Sequence, residues 1–239
     1  MWGLGCGLIA ATHAWAQNDL RLIGDVGVAS YKTPAITRTN DDSQVVLPYV
    51  YADYGALYAR VDTFGYKLAP MGAGHFEFAT RLSFEGYRSA VAGINQRARP
   101  KLFGIGTFQE TSYGAFIFYA FHDTASNGSL LDASYAAELA LGSFHLYPQI
   151  GMERRDHKYV HALYGVNATE AQHSGLAAYT PHRSITPNAA LAIEYPLINQ
   201  LKLTFQVRKR WLDHSIEGSP LVDVKQQTSR FLALTQTFH

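Results

Sequence analysis

Between Asn199 and Leu212 apolar and polar side chains change places at nearly every step. Leu201, Leu203, Phe205, Val207 and Trp211 fall on one side, and Lys202, Thr204, Gln206, Arg208 and Arg210 on the other. A period of two is that of a β-strand. The alternation returns in His75–Tyr87, where Phe76, Phe78, Leu82 and Phe84 oppose Glu77, Arg81 and Glu85. It returns again in Leu130–Leu141, where Leu131, Ala133, Tyr135, Ala137, Leu139 and Leu141 oppose Asp132, Ser134 and Glu138. Weaker copies run over Val46–Asp53, Ala56–Lys67, Phe103–Thr111, Ala115–His122, Phe144–Glu153 and Asn188–Tyr195. Each is about the 9–11 residues that a tilted strand needs to cross a bilayer. Repeated segments of this kind, separated by turn residues, predict an all-β fold, a closed antiparallel transmembrane β-barrel.

Strand candidates begin at Leu22, Val46, Ala56, His75, Phe103, Ala115, Leu130, Phe144, Asn188, Leu201 and Thr228, eleven in all. A single-chain bacterial barrel with both termini on one side needs an even number. Splitting Ala56–Lys67 at Asp62–Gly65 gives twelve strands, the preferred count, and losing one candidate gives ten. Counted back from the C-terminus, short and long connections alternate as far as Met71, as periplasmic turns and outer loops do. Before Met71 the alternation breaks, because the long polar stretch Tyr31–Gln44 falls on the short side.

Composition sharpens this picture. Hydrophobic residues make up 47% of the 239, yet no run of 18 apolar residues exists, so no spanning helix is expected. Aromatics reach 13%, with 15 Tyr, and barrels collect such residues in interfacial girdles. A net charge of +1 motivates no nucleic-acid partner. Met1–Ala16 has a short apolar middle and ends in Ala14-Trp15-Ala16 before Gln17, so residues 1–16 read as a signal peptide and 17–239 as the barrel. The missing basic n-region leaves the true start of that segment open. Cys6, the one cysteine, lies inside it, so thiol chemistry is not expected of the processed chain.

If the apolar faces meet lipid, then Arg60, Asp62, Glu77, Arg81, Glu85, Asp132, Glu138, Glu194, Lys202, Arg208 and Arg210 line the lumen. Charges of both signs are expected to pair across strands and plug a narrow barrel, since an unpaired buried charge is costly. An ion path is the alternative. Candidate chemistry is thin. His122-Asp123 and His173-Ser174 are the pairs an outer-membrane lipid hydrolase would use, but no G-x-S-x-G occurs. His157 and His161 stand four apart, the spacing of one helical face, within a segment read as loop. No catalytic, cofactor-binding or metal site is assigned. Arg97, Arg99 and Lys101 form a basic cluster suited to lipopolysaccharide phosphates if their loop faces outward.

One further pattern is specific. Tyr164-Gly165-Val166-Asn167-Ala168-Thr169-Glu170-Ala171, followed by Ser174-Gly175-Leu176-Ala177-Ala178-Tyr179-Thr180-Pro181, resembles the long loop motif of the MipA/OmpV family. Ser219-Pro220-Leu221-Val222-Asp223 is similar to a second element of that family, and Tyr51–Gly55 to its early Tyr-rich strand and turn. In order and spacing the resemblance covers Leu22 to Phe238. Leu163, where the family has Tyr, Gly218, where it usually has Asp, and the terminal His239 depart from the pattern. The resemblance implies a barrel in a Gram-negative-type outer membrane, in contact with its lipid and lipopolysaccharide. For one branch it also implies a non-enzymatic scaffold joining a murein lytic transglycosylase to a bifunctional, penicillin-binding murein synthase. A surface adhesin, or a small-solute or antibiotic-related barrel, is the alternative. The loop motif is expected to be either an interaction site or a lid over the barrel mouth.

Overall fold

The computed structural model describes residues 21–38 and 44–238; the proposed signal peptide, Cys6 and His239 lie outside them. Strands β1 (Leu22–Lys32), β2 (Gln44–Tyr54), β3 (Leu57–Arg60), β4 (Thr63–Met71), β5 (Gly74–Leu82), β6 (Lys101–Thr111), β7 (Gly114–Asp123) and β8 (Gly128–Ala136) follow one another as antiparallel neighbours. The three-residue β9 (Leu139–Leu141) continues the line of β8 along β10 (Phe144–Arg155) after an interruption at Ala137 and Glu138. Next come β11 (Ser184–Pro196), β12 (Leu201–Trp211) and β13 (Gln226–Phe238). β13 pairs with β1 from Gly24 opposite Phe238 to Lys32 opposite Arg230, and the ring closes. With β9 counted as part of β8, twelve strands cross, the number the sequence favours, and no edge is left at the seam.

The split of Ala56–Lys67 occurs at Val61 and Asp62, where Val61 turns at φ 64°. That two-residue turn is an outer connection, which restores Tyr31–Gln44 to the long side. Long connections after β1, β5, β10 and β12 gather at one end, and the turns after β2, β4, β6 and β11, like the first and last strand ends, at the other.

Alternation sends apolar groups outward on every strand. Val28, Phe78, Phe103, Ile105, Phe118, Ile150, Leu191, Phe205 and Leu232 are all exposed, although a water-soluble domain would bury such residues. Tyr54, Phe116, Phe144, Tyr195 and Phe238 stand outward near the short-turn end as a girdle, with Phe144 and Tyr195 4.9 Å apart.

Inside, most of the expected lumen charges pair; Arg208 instead donates to Gln149, and Asp62, expected in the lumen, stands exposed in the turn between β3 and β4. Arg155 donates to Glu85 at 2.7 Å and to Glu153, and Arg210 bonds both of the same carboxylates at 3.3 and 3.2 Å, so two cations neutralise two anions. Arg81 meets Asp132 at 2.6 Å. Nearer the short turns, Arg60 and Lys67 share Asp53, Lys202 reaches Asp25 and Glu194, and Glu77 accepts from the Tyr119 hydroxyl at 2.7 Å.

Candidate functional site

The long connection after β10, read from sequence as loop, is instead two helices. Asp156 stops β10 in extended conformation and its carboxylate accepts the Tyr159 N–H, starting α1 (His157–Tyr164). Asn167 starts α2 (Ala168–Ser174) with a full capping box: its side chain accepts the Glu170 N–H while the Glu170 carboxylate accepts the Asn167 N–H. Gly175 ends α2 at φ 72°, a left-handed position where other residues are strained. Local capping chemistry therefore starts and ends helices within a segment read from sequence as loop.

One face of α1 points down into the barrel mouth. Tyr159, Val160, Leu163 and Tyr164 pack with Leu102, Tyr119, Phe121 and Leu130 from the inner faces of β6 to β8. Leu212, Ile216 and Val222, from the connection after β12 and its short helix α3 (His214–Glu217), complete this apolar core. The two family-like motifs meet here. The Ser219 hydroxyl donates to the Tyr164 carbonyl at 2.7 Å, and the Tyr179 hydroxyl to the Ser215 carbonyl at 3.0 Å. Val166 and Tyr179 exchange backbone hydrogen bonds at 2.9 Å each way. Thr37 bridges Val222, and Arg38 reaches Asp223 at 2.8 Å, although both of those side chains are about half exposed. Pro181 is buried, Pro220 half-buried, and the Ser174 hydroxyl accepts the Leu176 N–H within the exit from α2.

The fixing point of the assembly is Glu170. Its carboxylate, 2% exposed, accepts from both terminal nitrogens of Arg97 at 2.9 and 3.1 Å, from Asn95 N at 3.0 Å and from Asn167 N at 3.1 Å. Burial opposes its charge, but the Arg97 guanidinium and these N–H groups outweigh burial and hold the carboxyl below the ordinary carboxylate range. Arg97 also donates to the Gly165 carbonyl at 2.7 Å. The connection after β5 is thereby sewn to α2, and Gly93 (φ 87°) passes so close that a Cβ there would sit 2.7 Å from the His173 carbonyl carbon. A second tie runs into the lumen, where the Tyr159 hydroxyl donates to Glu85 at 3.0 Å.

This geometry corrects the basic cluster drawn from sequence. Arg97 turns inward and its guanidinium is committed to Glu170 and Gly165, which leaves Arg99 and Lys101 exposed. The candidate dyads separate too. His122 faces outward, while Asp123 faces in and accepts the N–H groups of Lys101, Ala125 and Ser126. No hydrogen bond joins His173 to Ser174 among the described residues. His157 and His161 do share the exposed face of α1, and no group of three His, Cys, Asp or Glu able to hold a metal is found among the described residues.

A family described as MltA-interacting protein MipA matches residues 26–238. The chain is similar to the putative outer membrane protein YiaT of Escherichia coli O157:H7, 22% identical over 203 residues, which cover 82% of each chain. It is also similar to the MltA-interacting protein of Escherichia coli strain K12, 26% identical over 132 residues, 54% of this chain and 53% of the relative. Together with the lipid-facing barrel, these likenesses place the protein in the outer membrane. A match across nearly all the described strands, and over both loop motifs that form the lid, means that the chain belongs to the MltA-interacting protein MipA family.

Proposed function

We propose that the protein is a non-enzymatic scaffold of the outer membrane that holds a murein lytic transglycosylase and a murein synthase together. The observation that carries this reading is the filled interior. Paired charges occupy the lumen and a packed lid its outer mouth, so binding falls to external surfaces. The printed name of one relative, MltA-interacting protein, supports a lytic transglycosylase as partner. A small-solute barrel fits the paired lumen less well, and neither candidate hydrolase dyad is assembled among the described residues.

Murein partners lie on the periplasmic side, so contact must come from the short turns and strand ends. There Tyr113 is 82% and Ile198 73% exposed, two large apolar side chains beyond the girdle. Such groups are what a partner's groove would bury. The test is a pull-down of lytic transglycosylase from detergent extracts. Capture should survive deletion of Asn167 to Tyr179 and fall sharply in a Tyr113→Asp, Ile198→Asp double variant. Loss of capture on the loop deletion, with the double variant unimpaired, would reverse the assignment of sides.

A further inference from the structure

The outward face of the barrel is not uniformly apolar. Within the described strands every acidic residue has lumen parity: Asp25, Asp53, Glu77, Glu110, Asp123, Asp132, Glu153 and Glu194 are all buried or half-buried. The cations divide. Lys32, Lys101, Arg154, Lys209 and Arg230 take outward positions, each within five residues of the outer end of its strand, and no outward position near the short-turn end carries a charge.

Three of the five form one patch over adjacent strands. Lys32 on β1 stands directly opposite Arg230 on β13, and Lys209 on β12 opposite Thr228, one outward step from Arg230. Lys209 Nζ lies 5.5 Å from the Trp211 ring centroid. Directly opposed like charges destabilise a strand pair. No carboxylate shares their face among the described strand residues. Just below lie Val28, Val46, Phe205 and Leu232, all exposed apolar groups. A row of cations above a greasy surface, with the Trp211 indole at the outer end of β12, matches in charge and depth an amphiphile with acyl chains and an anionic head.

We propose that Lys32, Arg230 and Lys209 form a binding site for the phosphorylated headgroup of an outer-leaflet lipid of lipid A type, its acyl chains lying along Val28 and Leu232. The site is separate from the lid and from the periplasmic turns, so it stands whether or not the scaffold reading does. It also moves the lipid contact away from the Arg97 loop. Arginine forks the phosphate oxygens, and the two lysines add point charges from either side.

The test uses the full processed chain in detergent and native mass spectrometry, with bisphosphorylated lipid A, dephosphorylated lipid A and inorganic phosphate as probes. Bisphosphorylated lipid A should be retained, dephosphorylated lipid A should not, and inorganic phosphate should fail to displace the bound lipid. A Lys32→Gln, Lys209→Gln, Arg230→Gln variant should bind roughly a hundredfold more weakly, from about fivefold of lipid-surface attraction per cation. Equal retention of the two lipid A forms by the unmodified protein overturns the proposal, even if the triple variant fails to fold. So does full displacement by inorganic phosphate, or undiminished retention by a folded triple variant. The connection after β1 carries Asp41 and Asp42 in sequence. Binding seen only after Asp41→Asn and Asp42→Asn would make those carboxylates the native partners and overturn the proposal as well.

Discussion

Replacing Glu170 by alanine should loosen the lid and leave the barrel intact. The substitution removes the acceptor of four hydrogen bonds, two from Arg97 and one each from Asn95 N and Asn167 N. It strands the Arg97 guanidinium, 10% exposed, without its carboxylate and with neutral partners such as the Gly165 carbonyl. Breaking a buried pair by deleting one member costs about 3–5 kcal/mol. At roughly 1.4 kcal/mol per tenfold, the opening equilibrium of the loop then rises by between two and three and a half orders of magnitude. Amide hydrogen exchange in detergent reads this directly, because protection reports local opening separately from global unfolding. Amides of residues 159–179 should exchange faster in Glu170→Ala by about that factor, while those of β11 to β13 keep their rates. Glu170→Gln, which retains one acceptor oxygen, should fall between. Protection within about threefold of the parent, a difference below 1 kcal/mol, would refute Glu170 as the fastening. Equal acceleration in the strands would refute the independence of lid and wall.

Three further outcomes follow from the same structure. The folded carboxyl of Glu170 lies below its unfolded value, so its stabilisation is complete above about pH 4.3 and is lost as pH falls through the folded value. Proteolysis of residues 164–181 should therefore be unchanged from pH 8 to pH 5 and rise only in stronger acid, and a rise between pH 7 and pH 5 would assign the effect elsewhere. Planar bilayers containing the purified protein should show no steady nanosiemens conductance, and such a conductance would contradict a plugged lumen. Phe205→Arg, on the lipid face, should cost about 2–4 kcal/mol in urea unfolding from vesicles, and a change within error would mean that Phe205 does not face acyl chains.

Much of the barrel was legible because its evidence repeats. The alternation of Leu201 to Trp211 recurs from strand to strand, and parity alone asked for a cut in Ala56–Lys67 at Asp62–Gly65, which overlaps the turn that Val61 and Asp62 make. The lid was less legible. Its helices are seven and eight residues long; α1 carries two turns of apolar period in Tyr159, Val160, Leu163 and Tyr164, while α2 is signalled by its cap. Asn167 followed three residues later by Glu170 is a capping-box spacing and was available to read. Arg97 misled because sequence shows charge without its partner, and Glu170 lies 73 positions away. β7 held a quieter sign. Ile117, Tyr119 and Phe121 are apolar on the lumen side as well, which a water-lined interior does not require and a stopper does.

Glu85 joins the lid, through Tyr159, to the wall, through Arg155 and Arg210. Lifting α1 therefore disturbs an anion that two guanidiniums already share, so the stopper is held to the tube at a second point besides Glu170. A cylinder filled in this way turns its paired charges and its apolar lid residues on one another. What it can offer other molecules is its skin and its two rims, a fixed post standing between the cell wall and the outside.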